Sequence, residues 1–201
     1  MRLVLASNNA KKLTELQALF SPLGLELVTQ GSLGIAEAEE PYITFIENAL
    51  TKARHAAQHA GAAAIADDSG LCVDALGGAP GVLSARYATL FGGPKSDDEN
   101  NRVLLEHMAQ HTNRRARFVS ALVAVRSADD PEPLIAFGRW EGQVLNELRG
   151  VSGFGYDPLL FIPELDQSVA ELSAEVKNSH SHRAIASRQM LVLMREVWSL
   201  G

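Results

Sequence analysis

The first 28 residues carry the pattern that most restricts the fold. Arg2-Leu3-Val4-Leu5-Ala6 reads as a short buried strand, and polar Ser7-Asn8-Asn9 follows with good helix-capping chemistry. Leu13, Leu16, Leu19 and Phe20 then recur at helical spacing until Ser21-Pro22 and Gly24 stop the pattern. Leu25 to Val28 reads as a second strand. A strand, a turn, a helix and a strand in this order signal an α/β protein. The length of 201 residues suits one domain, or two lobes sharing a core, so residues 1–201 are taken as a single domain.

The remaining chain continues the alternation. Thr44-Phe45-Ile46-Glu47 fits a capping box, and the helix behind it stacks Phe45, Ala49, Ala53, Ala56 and Ala60 until Gly61. Ala62 to Ala66 reads as a small-residue strand that ends in an Asp67-Asp68-Ser69-Gly70 turn, after which Leu71 to Leu76 is again extended. A helix is expected over about 97–110, with an acidic first turn that suits the helix dipole. Residues 117–126 and 134–145 are two long strand candidates joined as a hairpin, and 150–158 is a glycine-rich loop. Val169 to Lys177 reads as a short helix and 182–199 as the last one. The pattern is a sheet with at least one long hairpin and helices around it.

Composition excludes several classes of function. Hydrophobic residues make up 46% and charged residues 21%, as in an ordinary globular protein. No apolar run approaches the roughly 18 residues that span a bilayer, so no membrane partner is expected. Leu3 to Ala6 is too short for a signal-peptide core. A single cysteine, Cys72, rules out an intrachain disulfide and fits a reducing, cytoplasmic setting. The net charge of −6 gives no basic face for nucleic acid; an anionic ligand would need cations gathered locally.

Four polar constellations stand where strands or loops meet helices, the usual place for ligands in α/β sheets. Ser7-Asn8-Asn9-Ala10-Lys11-Lys12 offers hydroxyl, amide and backbone N–H groups at a helix start, a phosphate cradle without the glycines of a Walker loop. Asp67-Asp68 suits Mg²⁺, a hard cation that prefers oxygen. Strand geometry would send the two side chains to opposite faces, one toward metal and water, the other bracing the loop. Gly153-Phe154-Gly155-Tyr156-Asp157-Pro158 combines close backbone approach with rings that stack on a base or pack a corner. Lys177 and Ser179-His180-Ser181-His182-Arg183 gather donors at the last helix start. The pairs His55/His59 and His107/His111 have zinc-compatible spacing but lack a His-Glu-x-x-His pattern, and Cys72 reads as a core residue.

Taken in order, seven stretches resemble the inosine triphosphate pyrophosphatase family, also called dITP/XTP pyrophosphatases. They are Leu-Ala-Ser-Asn-Asn-Ala-Lys-Lys, Thr-Phe-Ile-Glu-Asn-Ala, Ile-Ala-Asp-Asp-Ser-Gly-Leu, Leu-Gly-Gly-Ala-Pro-Gly, Ser-Ala-Arg-Tyr, Gly-Phe-Gly-Tyr-Asp-Pro and Ser-His-Arg, spread from residue 5 to 183. The resemblance implies a two-lobed α/β fold with a long central mixed sheet, helices around it, a cleft between lobes, and a homodimer. It implies Mg²⁺-dependent hydrolysis of ITP, dITP and XTP to monophosphate and pyrophosphate.

Carried over by motif, Ser7, Asn8, Asn9, Ala10, Lys11 and Lys12 would hold phosphates, with Lys52 and Ser69 beside them. Asp68 would be the catalytic carboxylate and a metal ligand, with Glu40 its acidic partner and Glu39 a rival. Phe154, Gly155, Tyr156, Asp157, Lys177, His182 and Arg183 would hold base and sugar, with His180 a competitor for His182. A nucleotide sensor without turnover, or a pyrophosphatase for other nucleotides, are the alternative functions.

Overall fold

The computed structural model describes residues 2–200. Strand β1 (Arg2–Leu5) lies between β2 (Glu26–Thr29) and β3 (Ala64–Val73) and runs parallel to both. The sheet continues through β4 (Arg115–Val125), β5 (Leu134–Val144), β6 (Leu160–Ile162) and β7 (Gln167–Ser168), in the order β2-β1-β3-β4-β5-β6-β7. The β5–β6 and β6–β7 pairings are antiparallel, so the expected mixed sheet with flanking helices is what the chain forms.

Two compact units divide the chain. The first takes the residues up to Asp68, Ser120–Gly138 and those from His182 onward; the second takes Ser69–Val119 and Arg139–Ser181. In the first unit the pleat sorts side chains onto two faces. Leu3, Leu5, Ile65, Leu122, Ala124, Leu134 and Ala136 pack with Leu16 and Phe20 of α1 (Ala10–Phe20) and Met190 and Met194 of α5 (His182–Trp198). Val4, Ala6, Ala64, Ala66, Ala121, Val123 and Val125 pack on α2 (Phe45–Ala60), whose contact face is Ala49, Ala53, Ala56 and Ala57. Thr44 caps α2 by accepting the Glu47 N–H, while the Glu47 carboxylate accepts the Thr44 hydroxyl.

In the second unit Leu71, Val73, Phe118, Trp140 and Ile162 enclose Leu104 and Met108 of α3 (Asp97–Met108), together with Tyr156 and Leu159. Ser96 caps α3 by accepting the Glu99 N–H. A 3₁₀ stretch over Gly81–Phe91 and the seven-residue α4 (Ala174–His180) complete it. Among the described residues no helix is long and apolar enough to cross a membrane.

Two local expectations are corrected. Asp67-Asp68-Ser69-Gly70 is not a turn: β3 runs straight through it from Ala64 to Val73. Gly70 serves close packing instead, since a Cβ there would lie 2.4 Å from the Gly81 carbonyl oxygen and 2.4 Å from Ser84 Oγ. The single helix expected over 169–177 is a 3₁₀ turn, Val169–Glu171, followed by α4. The turn closes because Ser168 and Glu171 form a reciprocal capping box, and Ser173 then starts a new helix by accepting the Val176 N–H.

Another glycine fixes how α5 begins. A Cβ on Gly138 of β5 would sit 1.9 Å from the His182 carbonyl oxygen and 2.8 Å from the Ala186 nitrogen, both backbone atoms. Gly138→Ala should therefore force backbone movement at His182 and cost about 1–3 kcal/mol, as overpacked cores do. Urea unfolding checks this; a variant as stable as wild type would mean α5 is free to shift.

Candidate active site

The pleat that sorts the core also separates the acidic pair. Asp67 continues the side of Ile65 and faces α1 and α5; Asp68 continues the side of Ala66 and faces α2. Asp67 is 1% exposed. Its Oδ2 meets Lys12 Nζ at 2.8 Å and Arg183 Nε at 3.1 Å, and its Oδ1 accepts the Ser120 hydroxyl at 2.7 Å. Arg183 in turn donates from a terminal nitrogen to Glu15 Oε2 at 2.9 Å. Burial alone would raise the Asp67 carboxyl, but Lys12, Arg183 and Ser120 hold it well below the usual carboxylate range. This is the bracing aspartate.

Asp68 contacts one cation where Asp67 contacts two. Its Oδ1 accepts Lys52 Nζ at 2.8 Å, and the same ammonium donates to Glu40 Oε1 at 2.8 Å. Asp68 Oδ2 is buried with no hydrogen-bond partner among the described residues. Burial pushes the Asp68 carboxyl up and Glu40 adds to it; Lys52 pulls it down without cancelling them. Burial disfavours the Lys52 charge, yet Asp68 and Glu40 outweigh burial and raise its pKa. Glu40, not Glu39, is the glutamate whose carboxylate reaches this group; Glu39 is exposed.

Lys12 and Lys52 converge on one backbone oxygen, that of Asp67, at 3.4 and 3.0 Å. Burial lowers the Lys12 pKa, and the cations of Arg183 and Lys52 reinforce this against the pull of Asp67. At the start of α1 the side-chain oxygen of Asn9 already accepts the Lys11 and Lys12 N–H groups at 2.9 and 3.2 Å, and Ser7 Oγ accepts the Asn9 N–H at 3.1 Å. The cradle is therefore built from side chains more than from bare amides. Asn8, Asn9, Ala10 and Lys11 are exposed there, with Ser7 half-buried.

The described residues hold no group of three or more His, Cys, Asp or Glu side chains arranged for a metal. A Mg²⁺-type ion fits a smaller donor set, because it keeps waters and takes one or two carboxylates plus substrate phosphates. The orphaned Asp68 Oδ2 and the neighbouring Glu40 match that donor set, since an unsatisfied buried oxygen calls for a partner such as an ion.

The glycine-rich loop lies in the second unit, where Asp157 is its keystone. Asp157 Oδ2 accepts the Phe154 N–H at 3.0 Å and Lys177 Nζ at 2.9 Å, and Lys177 Nζ also lies 4.8 Å from the Phe154 ring centroid. Gly153 has φ +84°, and a Cβ there would meet Asp157 Oδ2 at 2.1 Å. Asn101 Nδ2 donates to the Gly155 carbonyl at 2.8 Å, and the buried Tyr156 hydroxyl donates to the Ser84 carbonyl at 2.9 Å. Tyr156 is thus the packed corner of the loop, whereas Phe154 is half-buried. Ser69, also half-buried, is the first residue of this unit, and His182 and Arg183, both buried, open α5 in the first. His180 is exposed at the end of α4, with Nδ1 near Ser179 Oγ at 2.8 Å.

Comparison with known proteins places the chain in a family. Residues 3–193 match the model of the Ham1 family. The chain belongs to the Ham1 family. It is 66% identical to the dITP/XTP pyrophosphatase of Leptothrix cholodnii, over 100% of both chains. It is 65% identical to the dITP/XTP pyrophosphatase of Methylibium petroleiphilum, over 98% of this chain and 99% of the relative. Among solved structures, a HAM1 protein from Coxiella burnetii superposes with a TM-score of 0.90 at 41% identity, covering 98% of this chain and 100% of the other. The Ham1 fold and the family resemblance read from the seven motifs are both borne out.

Four residues of this Ham1 protein were given no role from the sequence, although Asn48 stands in the Thr-Phe-Ile-Glu-Asn-Ala stretch. Glu15, Ser120, Asn48 and Gly138 act through partners 168, 53, 6 and 44 positions away, and only the Asn48–Lys52 spacing of one helical turn carries a local signal.

The two aspartates should respond oppositely to neutralisation. Asp67→Asn strands the largely buried Lys12 and leaves Arg183 only Glu15, so unfolding free energy at pH 7 should fall by about 3–5 kcal/mol. Asp68→Asn leaves Lys52 its Glu40 partner, and stability should hold or rise. Asp67 has a depressed folded pKa, so its contribution is full above the unfolded value of about 4 and is lost as pH falls through the folded one. The wild-type minus Asp67→Asn difference in urea unfolding should stay flat from pH 7 to about 4 and shrink below it. Equal losses in both variants would refute the division of roles.

Proposed function

We propose that this Ham1 protein hydrolyses the deaminated purine nucleoside triphosphates ITP, dITP and XTP to monophosphate and pyrophosphate, and so keeps them out of DNA and RNA. The reading rests on Asp68, a buried carboxylate with one oxygen lacking a partner, beside a lysine it shares with Glu40. The names of the relatives point to two of these substrates, dITP and XTP.

Lys12 and Lys52 offset the triphosphate charge, with Ser7 to Lys11 and Ser69 ordering the phosphate chain. Lys12, Lys52 and Arg183 face four carboxylates, those of Asp67, Asp68, Glu15 and Glu40, so these cations alone do not balance a triphosphate. Asp68 and Glu40 would hold Mg²⁺, which would supply further positive charge at the phosphates.

Asp68 orients a water toward the α-phosphorus and accepts its proton as the new P–O bond forms and the bond to the β-phosphate oxygen breaks. Pyrophosphate leaves, and Asp68 returns the proton to solvent. Positioning and charge stabilisation do most of the work.

Phe154, Gly155, Tyr156, Asp157, Lys177, His182 and Arg183 hold base and sugar in this reading. A 6-keto purine accepts a hydrogen bond from His182 or Arg183, whereas the 6-amino group of adenine would leave that donor unpaired. Glu15 and Asp67 set the direction in which Arg183 can point. The protein works as a cytoplasmic homodimer, with no part for nucleic acid.

Pyrophosphate release is measured from ITP, dITP, XTP, GTP, ATP, CTP and UTP, with and without Mg²⁺. Fast, Mg²⁺-dependent release confined to the first three is expected. Asp68→Asn should lower kcat by about 10²–10⁴-fold, the usual contribution of a positioned base. Binding without release would make the protein a sensor, and near-normal turnover of Asp68→Asn would remove Asp68 from the chemistry.

A further inference from the structure

Glu40 stands in a stretch without regular structure: residues 35–42 contain neither helix nor strand. Such a stretch needs attachments if a carboxylate on it is to meet Asp68 and Lys52 reproducibly. At its upstream end the Ile35 N–H donates to the Gln30 carbonyl at 3.0 Å, and His55 Nε2 lies 2.9 Å from the Ala36 carbonyl. Beyond Ala36, Glu37, Glu39, Pro41 and Tyr42 are all exposed, so packing does little to fix the segment.

The downstream attachment is of a different kind. Asn48 is 0% exposed. Its Oδ1 accepts the Tyr42 N–H at 3.0 Å, and its Nδ2 donates to the Tyr42 carbonyl at 3.0 Å. One buried amide thus takes both backbone groups of a single exposed residue, two positions after Glu40. A buried primary amide is costly unless paired, and here both its ends are paired with the same peptide segment. Asn48 also lies one helical turn before Lys52 on α2, so consecutive turns of this helix hold the Tyr42 backbone and the Glu40 carboxylate.

We propose that Asn48 is the positioning residue for Glu40, clamping residues 40–42 to α2 so that the glutamate is already beside Asp68 when a divalent cation arrives. This deepens the proposed function and rests on its assignment of Glu40 as a metal ligand. A residue that orients a ligand in this way changes metal affinity without touching the metal, commonly by about 10–100-fold.

Mn²⁺ serves as the probe, its free fraction read by electron paramagnetic resonance during titration of the protein without nucleotide. Wild type is compared with Asn48→Ala, Asn48→Asp and Glu40→Gln, each at a temperature where far-UV circular dichroism shows it folded. Asn48→Asp keeps the acceptor for the Tyr42 N–H but sets a carboxylate oxygen against the Tyr42 carbonyl, so it carries the test if Asn48→Ala does not fold.

Both Asn48 variants should weaken Mn²⁺ binding by about 10-fold or more and approach Glu40→Gln. The ratio of kcat/KM for dITP over dATP should stay at its wild-type value, because the base-holding residues are untouched. Unchanged Mn²⁺ affinity in either folded Asn48 variant overturns the inference, as does a fall in base discrimination alongside it, which would mark general loosening. If wild type and Glu40→Gln bind Mn²⁺ alike, the metal assignment of Glu40 itself fails and the inference falls with it.

Discussion

The Asp67 carboxylate, removed from water in the middle of β3, is the constraint around which the first unit is organised. A buried anion is tolerated only when it is paired and hydrogen-bonded. Asp67 therefore draws Lys12 from α1, Arg183 from α5 and a hydroxyl from Ser120 on β4. Three elements distant in sequence are held at one point, and Glu15 completes the pairing by taking the other side of Arg183. Because Asp67 occupies one face of the strand, the pleat leaves Asp68 on the other, beside α2. The cations drawn to Asp67 leave Asp68 with one lysine that it must share with Glu40. Adjacent residues of the same type thus have carboxyl pKa values shifted in opposite directions, down for Asp67 and up for Asp68.

Loop and 3₁₀ segments are held by buried asparagines in both units. Asn48 clamps Tyr42, Asn100 accepts from the Ala88 N–H at 2.8 Å and reaches the Ala85 carbonyl at 3.4 Å, and Asn101 holds the Gly155 carbonyl. Loops that carry binding groups lack a ladder to satisfy their backbone, and a side-chain amide offers one donor and one acceptor in peptide-like geometry.

Much of the architecture was legible beforehand. The strand–helix–strand opening, α2 with its alanine stripe and the Thr44 cap follow from periodicity and end signals, and each forms as expected. Strand alternation left open which of Asp67 and Asp68 would brace the loop, and the choice of Asp68 as the catalytic candidate came from the family resemblance alone. The failures have specific causes. Gly70 looked like a turn residue because glycine permits turns, yet its absent side chain makes room for Gly81 and Ser84. The helix expected over 169–177 broke because the Ser168–Glu171 box closed a local turn first.

By itself the sequence determined the α/β class, the family and the residue types gathered for an anion, because periodicity, capping and motif wording are written locally along the chain. Tertiary structure alone decided which aspartate is saturated with cations, that Glu40 and not Glu39 reaches Lys52, and that Glu15, Ser120, Asn48 and Gly138 support the site. The reason is physical. Ionisation and pairing depend on what burial brings within about 3–4 Å, and such neighbours are set by how strands and helices pack, not by their order in the chain.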